Sequence, residues 1–232
     1  MGAALGVAPA GERNSAVNAA ALLAPWHREF PGRLAGSVYA APPAARASAA
    51  RAMYEAGLGV HVDIMAEGEG LPAGVGFTEL EEIARAVPSG FDVHLIGSPA
   101  FVDAALPQVL TYAPAKVFLP WAAFSEERSA AIRAAGGSAW VALWQEWDAL
   151  SEPEPRWPAA PDGVLVMLIE PGSRDRCRVE RLAIVAACAA GLPVIVDGGV
   201  TEDVAPLCVT AGAEAMVVGR ALLAGTAYRE EA

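Results

Sequence analysis

Lysine is almost missing from this sequence of 232 residues, because Lys116 is the only one and arginine supplies the other positively charged side chains. The chain has 16 basic residues against 27 acidic ones, a formal net charge of −11, and no cluster of basic residues. Nucleic acids and anionic membrane surfaces attract proteins mainly through basic clusters. The composition therefore predicts that neither is a partner.

Cysteines, aromatic residues and long apolar runs are also scarce. The three cysteines show no CxxC spacing, which is typical of reduced thiols in a cytosolic protein. No run approaches the ~20 apolar residues that cross a bilayer. The Ala- and Leu-rich stretch Ala16–Trp26 is not followed by an export cleavage site. We therefore expect a cytoplasmic protein whose residues 1–33 form an N-terminal extension, partly helical or disordered.

Short apolar runs alternate with helix-like segments from about residue 34 onward. The predicted strands are Gly36–Ala40, Gly59–Met65, Phe91–Ile96, Lys116–Pro120, Ala139–Leu143, Val164–Ile169, Pro193–Asp197 and Ala215–Val218. The predicted helices are Ala44–Ala56, Thr78–Ala86, Phe101–Leu106, Ser125–Ala135, Val179–Ala190, Asp203–Ala211 and a segment from Arg220 onward. Such nearly continuous apolar strands are typical of parallel strands that are covered on both faces.

Eight strands with intervening helices predict an α/β fold, a closed (β/α)8 TIM barrel that forms a single domain over residues 34–232. The alternative is a doubly wound open sheet, but no glycine fingerprint follows the first strand. The fifth helix should be short or absent, because the segment from Trp144 to Pro161 contains four prolines.

Two of the three histidines fall inside neighbouring predicted strands. His61 and Asp63 are two residues apart and so project from the same face, His94 lies in the next strand, and Asp197 ends the seventh. In a barrel, functional side chains gather at the carboxyl ends of the strands. A lone histidine there is usually a hydrogen-bonded core residue. Two imidazoles with two carboxylates favour a divalent-metal site instead, since an unpaired buried aspartate is costly.

Glycines follow the last two strands. Gly198 and Gly199 come after the seventh, and Gly219 precedes Arg220 after the eighth. Backbone N–H groups can approach an anion closely at such positions, which predicts a phosphate-binding site. Ordinary turn glycines are the alternative.

The segment from Glu170 to Arg176 follows the sixth strand and should form a mobile active-site loop. Arg174 and Arg176 could each bind a phosphate or carboxylate through two hydrogen bonds, although a solvated charged loop is an equal alternative. Met65 and Met167 lie at strand ends, where thioethers could line a small pocket or fill the core.

Five motifs occur in a fixed order along the chain. They are His61-Val62-Asp63-Ile64-Met65, Asp92-Val93-His94-Leu95, Val141-Ala142-Leu143, Val166-Met167-Leu168-Ile169-Glu170-Pro171-Gly172 and Val196-Asp197-Gly198-Gly199-Val200. Their ordered combination resembles the ribulose-phosphate 3-epimerase family over roughly residues 36–223. The resemblance implies an isomerase of carbohydrate metabolism, in the pentose phosphate reactions. It also implies a homo-oligomer, because barrels of this family commonly self-associate.

The resemblance further implies one divalent metal ion (Zn, Mn, Fe or Co). The implied metal ligands are His61, Asp63, His94 and Asp197. The two aspartates would exchange protons on opposite faces of C3 of a phosphorylated ketose, by default converting D-ribulose 5-phosphate to D-xylulose 5-phosphate through an enediolate. Met65 and Met167 would line the pocket, and Ser37 would help to position the substrate.

Three segments depart from the family pattern. Ala66–Pro72 replaces the usual Asp-Gly-His-Phe-Val-Pro-Asn, and Ala40 replaces a second serine. The sixth loop has Gly172 followed by Ser-Arg-Asp-Arg, where the family has Gly-Phe-Gly-Gly-Gln with phosphate-binding amides, and Arg220 replaces a small residue. Arginines thus stand where the family uses glycines, which predicts a non-standard sugar phosphate or another anion as the substrate.

Two other functions compete with the epimerase. Related phosphate-binding decarboxylases carry a lysine two residues after the second-strand aspartate, where this chain has Met65. A Schiff-base aldolase needs a lysine at the carboxyl end of a strand, whereas Lys116 begins its strand. A non-catalytic barrel that binds metal or sugar phosphate is the remaining hypothesis, favoured by the altered loops.

Overall fold

Eight parallel strands form a closed barrel in the computed structural model, which describes residues 22–88, 90–147 and 155–223. The strands are β1 (Leu34–Ser37), β2 (Gly59–Met65), β3 (Phe91–Ile96), β4 (Lys116–Pro120), β5 (Ser138–Leu143), β6 (Gly163–Met167), β7 (Val194–Asp197) and β8 (Ala215–Val218). Each strand pairs with its neighbours in sequence, and β1 also pairs with β8. The predicted TIM barrel is confirmed, and the open-sheet alternative is wrong.

Helices cover the outside of the barrel. They are α1 (Arg46–Glu55), α2 (Phe77–Ala86), α3 (Pro99–Leu110), α4 (Glu126–Ala134), α5 (Leu182–Ala189) and α6 (Ala205–Thr210). Among the described residues between β5 and β6 there is no helix, in line with the prolines there. Most of the segment from Arg220 onward lies outside the described residues. Within the described part of the chain, no helix is long and apolar enough to cross a lipid bilayer.

Two elements differ most from the prediction, the first strand and the third helix. The first strand begins at Leu34 and ends at Ser37, because pairing with β2 and β8 decides its limits, and Val38–Ala40 turn into a 3-10 helix. Helix α3 begins with a cap, the Ser98 Oγ accepting from the Phe101 N–H, and it continues through Pro107. One proline removes a single backbone hydrogen bond there, and the buried Val109 beyond it keeps the last turn packed.

The segment before β1 packs against the residues that follow β8. Leu23 forms a bridge with Leu223, and the buried Trp26 donates its indole N–H to the Ala221 carbonyl at 3.2 Å. A 3-10 helix spans Pro25–Glu29. Residues 1–21 of the predicted extension lie outside the described residues.

The barrel interior is apolar on one side and ionisable on the other. Its apolar cluster comprises Ala35, Phe118, Trp140, Ala142, Leu165, Met167, Ile195 and Val217. Strands β2 and β3 instead direct histidines and aspartates inward. Near the amino-terminal end of the barrel, Lys116 Nζ pairs with the Asp92 carboxylate at 3.2 Å. The only lysine is therefore engaged at the end of the barrel opposite to the strand carboxyl ends, which argues against a Schiff-base mechanism.

Candidate metal centre and active site

Strand register brings the four predicted metal ligands to one place. Asp63 on β2 pairs with His94 on β3, and Met167 on β6 pairs with Asp197 at the end of β7. Paired residues of parallel strands face the same way, so these side chains point into the barrel. His61, Asp63 and His94 are buried, and Asp197 is partly exposed. Closure of the barrel therefore brings together residues that are more than 130 positions apart in the sequence.

The donor atoms of the cluster lie within 4.8 Å of one another. His61 Nε2 is 3.2 Å from Asp63 Oδ1 and 4.0 Å from Asp197 Oδ2. His94 Nδ1 is 3.4 Å from Asp63 Oδ1 and 3.9 Å from Asp197 Oδ2. Nitrogen and oxygen ligands about 2.1 Å from a tetrahedral divalent ion are about 3.4 Å apart. The separations therefore suit a single cation between the four groups.

A buried nitrogen atom of His94 supports the same fit. The Nδ1 atoms of His61 and His94 have no hydrogen-bond partner among the described residues. His94 Nδ1 faces the cluster, close to Asp63 but without a well-formed hydrogen bond. A buried polar atom without a partner is costly, and a bound cation would satisfy this one. The donor set of two imidazoles and two carboxylates is one that zinc and other divalent transition metals accept.

The pKa values of the two aspartates are shifted in opposite directions, although both residues lie in one site. Burial opposes the charged form of Asp63, but His61 and His94 outweigh it and hold the pKa of Asp63 well below its usual range. Burial and the charge of Asp63 raise the pKa of Asp197 to about 6. A pair of carboxyl groups whose environments separate their pKa values is suited to acid and base roles in one reaction.

His61 is the side chain of this cluster that carries a positive charge at pH 7 when no metal is bound. Its burial opposes a charge, but the charge and hydrogen bond of Asp63, with the charges of Asp197 and Asp92, raise the pKa of His61 to about 9. Protons and metal ions therefore compete for His61 Nε2, since a ligating imidazole must be neutral.

Ser37 holds Asp63 in place. Its hydroxyl donates to Asp63 Oδ2 at 2.8 Å, and the residue is buried at the end of β1. The sequence predicts that Ser37 positions the substrate, and in the structure Ser37 also orients a carboxylate. This contact follows from the register that pairs Ser37 on β1 with His61 on β2. The sequence alone does not reveal that register.

Phe118 was missed by sequence analysis. Its fully buried ring lies 5.4 Å from the His61 ring, 6.1 Å from the His94 ring and 5.7 Å from the Trp140 ring. These contacts restrict the rotation of both imidazoles and give the site an apolar wall. An apolar residue in a strand carries no mark that distinguishes such a position from ordinary core.

A cavity of about 880 Å³ opens above the cluster, at the carboxyl ends of the strands. It is lined by Asp63 and Asp197 and by every predicted substrate-binding or phosphate-binding residue. Those residues are Ser37, Met65, Met167, Gly172, Arg174, Arg176, Gly198, Gly199, Gly219 and Arg220. Sequence analysis missed Tyr39 and Arg46, which line the same cavity from the first βα segment. The Arg46 guanidinium stacks on Tyr39 and pairs with Glu79.

The glycines after β7 are required by the backbone itself. Gly198 and Gly199 have φ values of +110° and +65°, which other residues rarely adopt. A Cβ atom on Gly199 would lie 2.6 Å from the Cys177 backbone N, and one on Gly198 would lie 2.9 Å from the Ile169 backbone N. Close packing of the sixth and seventh loops thus accounts for both glycines.

The chain matches the family model described as the ribulose-phosphate 3 epimerase family over residues 33–223. Among curated proteins, no significant match is found. Solved structures resemble it in fold. Phosphoribosyl anthranilate isomerase from Thermus thermophilus has a TM-score of 0.57 at 14% identity, covering 84% of this chain and 90% of that one.

Two further barrels are similar. Phosphoribosyl anthranilate isomerase from Thermococcus kodakaraensis has a TM-score of 0.56 at 11% identity, covering 82% of this chain and 89% of that one. Orotidine 5'-phosphate decarboxylase from Pyrococcus horikoshii OT3 has a TM-score of 0.52 at 14% identity, covering 81% and 89%. At such identities these likenesses concern the fold alone. The family match spans most of the sequence, and the chain is therefore a member of the ribulose-phosphate 3-epimerase family of enzymes.

Proposed function

We propose that the protein is a metal-dependent epimerase that inverts C3 of a phosphorylated ketose, by default converting D-ribulose 5-phosphate to D-xylulose 5-phosphate. The observation that carries this proposal is the cluster of two imidazoles and two carboxylates at the base of the cavity in a member of this family. A homo-oligomer in the cytoplasm is part of the same proposal, because both are typical of the family.

One divalent ion (Zn, Mn, Fe or Co) would be held by the four residues of the cluster. The nitrogens would be His61 Nε2 and His94 Nδ1, and the oxygens Asp63 Oδ1 and Asp197 Oδ2. When bound, the ion supplies positive charge that stabilises the negative charge developing on the sugar oxygens as C3 loses its proton. The Phe118 ring, against both imidazoles, and the Ser37 hydroxyl, bonded to Asp63, would keep the ligands oriented.

The two carboxylates would move the proton. Asp63, ionised at neutral pH, would take it from one face of C3, and Asp197, whose pKa is raised to about 6, would return one on the other face. The oxygens that the metal would leave for this exchange are Asp197 Oδ1 and Asp63 Oδ2, the latter oriented by the Ser37 hydroxyl. In the reverse direction the two residues exchange roles.

The remaining cavity residues would bind the substrate. Met65 and Met167 present apolar thioethers near the reacting carbon and exclude water from it. The backbone of Gly198, Gly199 and Gly219 would bind the phosphate. Gly172, Arg174, Arg176 and Arg220 complete that end of the cavity.

Deuterium exchange tests this function directly. Purified protein loaded with Zn, Mn, Fe or Co is incubated in D2O with a panel of pentulose and hexulose phosphates, and deuterium at C3 is measured by NMR. We expect incorporation for at least one substrate, and a loss of at least about 100-fold in Asp63→Asn and Asp197→Asn. Asp103→Asn, which removes only a surface ion pair with Arg128, should keep full activity. Absence of exchange across the whole panel would refute the proposal.

The altered loops favour one other function, a barrel that binds metal or sugar phosphate without turnover. This alternative predicts stoichiometric metal, no C3 exchange and an unchanged cellular function after Asp197→Asn. The two proposals therefore separate in a single pair of experiments.

A further inference from the structure

Three arginines line the outer part of the cavity without ion-pair partners. Arg174, Arg176 and Arg220 are exposed, and none has a carboxylate within 4.0 Å among the described residues. The nearby Asp175 uses its backbone N–H for the Ser173 hydroxyl, and its carboxylate pairs with none of them. We call these three residues the arginine rim. Three like charges around one cavity repel one another, so the arrangement favours a bound anion.

The rim differs from the fourth arginine that lines the cavity. Net charge is −11, and Arg46 pairs with the Glu79 carboxylate at 3.0 Å, whereas the rim arginines have no such partner in the described part of the chain. Acidic partners are thus abundant, yet none neutralises the rim. The rim charge is therefore available to a ligand.

One hydrogen bond joins the two loops that carry the rim. Arg220 Nη2, after β8, donates to the Arg174 carbonyl, after β6, at 3.3 Å. A guanidinium has five N–H donors, so most of those on Arg220 stay available. The bond keeps the rim arginines on one side of the cavity mouth.

The rim arginines lie farther out than the first glycine of the turn after β7. Gly198 is buried at the base of the seventh loop, whereas Gly199 and all three arginines are exposed. The backbone N–H groups of the glycine turns can hold one phosphate without the rim. A cavity of about 880 Å³, near the upper end of the ~300–1,000 Å³ typical of ligand sites, also exceeds what a five-carbon sugar phosphate needs.

We propose that the substrate carries two adjacent anionic groups at its phosphate end, one bound by the glycine turns and the other by the arginine rim. This inference rests on the proposed function, because it specifies the ketose on which the epimerase acts. A diphosphate, or a phosphate beside a carboxylate, has the required chemistry. Guanidinium groups bind either through two parallel hydrogen bonds.

Calorimetric titration of the metal-free full-length protein tests the proposal. The probes are inorganic phosphate, pyrophosphate and phosphonoacetate, and the rim variant is Arg174→Gln/Arg176→Gln/Arg220→Gln. We expect the wild type to bind pyrophosphate or phosphonoacetate at least about tenfold more tightly than phosphate. The rim variant should lose this preference while its phosphate affinity stays within about twofold.

Two further variants control for charge and for loop position. Arg28→Gln/Arg51→Gln/Arg156→Gln removes the same charge from exposed positions that do not line the cavity, and it should behave as the wild type. Arg174→Gln/Arg176→Gln keeps the Arg220 side chain and its hydrogen bond to a backbone carbonyl, and it should still lose most of the preference. Thermal melting confirms that each variant is folded.

The outcomes separate cleanly. A preference for pyrophosphate alone identifies a diphosphate, one for phosphonoacetate alone identifies a phosphate with a carboxylate, and both support the shared chemistry. Equal affinity of the wild type for all three probes, equal loss of all three in the rim variant, or the same loss in the charge control overturns the proposal. None of these measurements depends on C3 exchange, so failure of the epimerase reaction would be recognised separately.

Discussion

Metal binding by His61 requires the loss of a proton. Asp63, Asp197 and Asp92 raise the pKa of this imidazole to about 9, so in the metal-free protein it is charged at pH 7. A folded-state pKa above the ordinary value means that lowering the pH favours the proton over the metal. The residue that gives the cluster its charge balance is therefore also the one that makes metal affinity depend on pH.

This competition predicts the release of about one proton from His61 per metal ion at pH 7, and an affinity that rises about tenfold per pH unit between pH 7 and 9 before levelling off. Titration with Zn in buffers of different ionisation enthalpy measures the released protons. His27→Asn, at an imidazole outside the cluster, should leave the proton count unchanged. Binding enthalpies that do not vary with the buffer would contradict the raised pKa.

Gly199 is the second residue for which the structure predicts the effect of a substitution. Alanine at this position would meet the Cys177 backbone N and adopt a positive φ, so Gly199→Ala should lower the free energy of unfolding by roughly 1–3 kcal/mol. Inorganic phosphate should also bind more weakly, because the turn would move. Gly191→Ala, where no atom lies within 4 Å and φ is not positive, is the matched control. Urea unfolding of both variants tests the difference, and equal losses would show that crowding at Gly199 is unimportant.

At the scale of elements, the guanidinium of Arg181 links the segment after β6 to the ends of β5 and β6. Arg181 donates to the carbonyl oxygens of Met167, Leu143 and Trp144, at the ends of β6 and β5, and it packs on the Trp144 ring. The loop that carries Arg174 and Arg176 thus depends on a side chain that does not touch the substrate region.

Arg181→Lys should expose this dependence. A lysine keeps the charge but cannot reach three carbonyls at once, so we expect a loss of about 1–3 kcal/mol of stability from unpaired acceptors. Backbone hydrogen exchange should also accelerate across residues 168–178. Arg178→Lys is the control, since Arg178 only stacks on Trp144 and its backbone N–H bond to Leu168 survives. If both variants exchanged equally fast, the anchoring role would be rejected.

Sequence patterns predicted the elements that depend on local order. Period-two alternation placed His61 and Asp63 on one face, and the succession of strands placed His94 and Asp197 at the same end of the barrel. The limits of β1 and the length of α3 depend instead on pairing and packing with distant segments, which no local pattern records. The same holds for Ser37 and Phe118, whose contacts with the cluster exist only once the register between strands is known.

At the scale of the whole molecule, the barrel interior contains both an apolar cluster and a cluster of ionisable side chains. The apolar cluster lies on β1 and on β4 to β8, while β2, β3 and β7 contribute four ionisable groups to the same interior. Burying charges without full pairing costs stability, and a bound cation would compensate that cost. The stability of the fold should therefore be linked to metal occupancy.

This linkage predicts a measurable change in melting temperature. A metal that binds only the folded state, present at 100 times its dissociation constant, stabilises by about 2.7 kcal/mol, which for a chain of this size raises the melting temperature by roughly 5–10 °C. His61→Asn/His94→Asn removes both nitrogen ligands and should abolish the shift, whereas His27→Asn should retain it because its imidazole lies outside the cluster. Differential scanning calorimetry with and without Zn, Mn or Co distinguishes these cases. An equal shift in the double variant would mean that the ion binds elsewhere, and the four-residue centre would have to be abandoned.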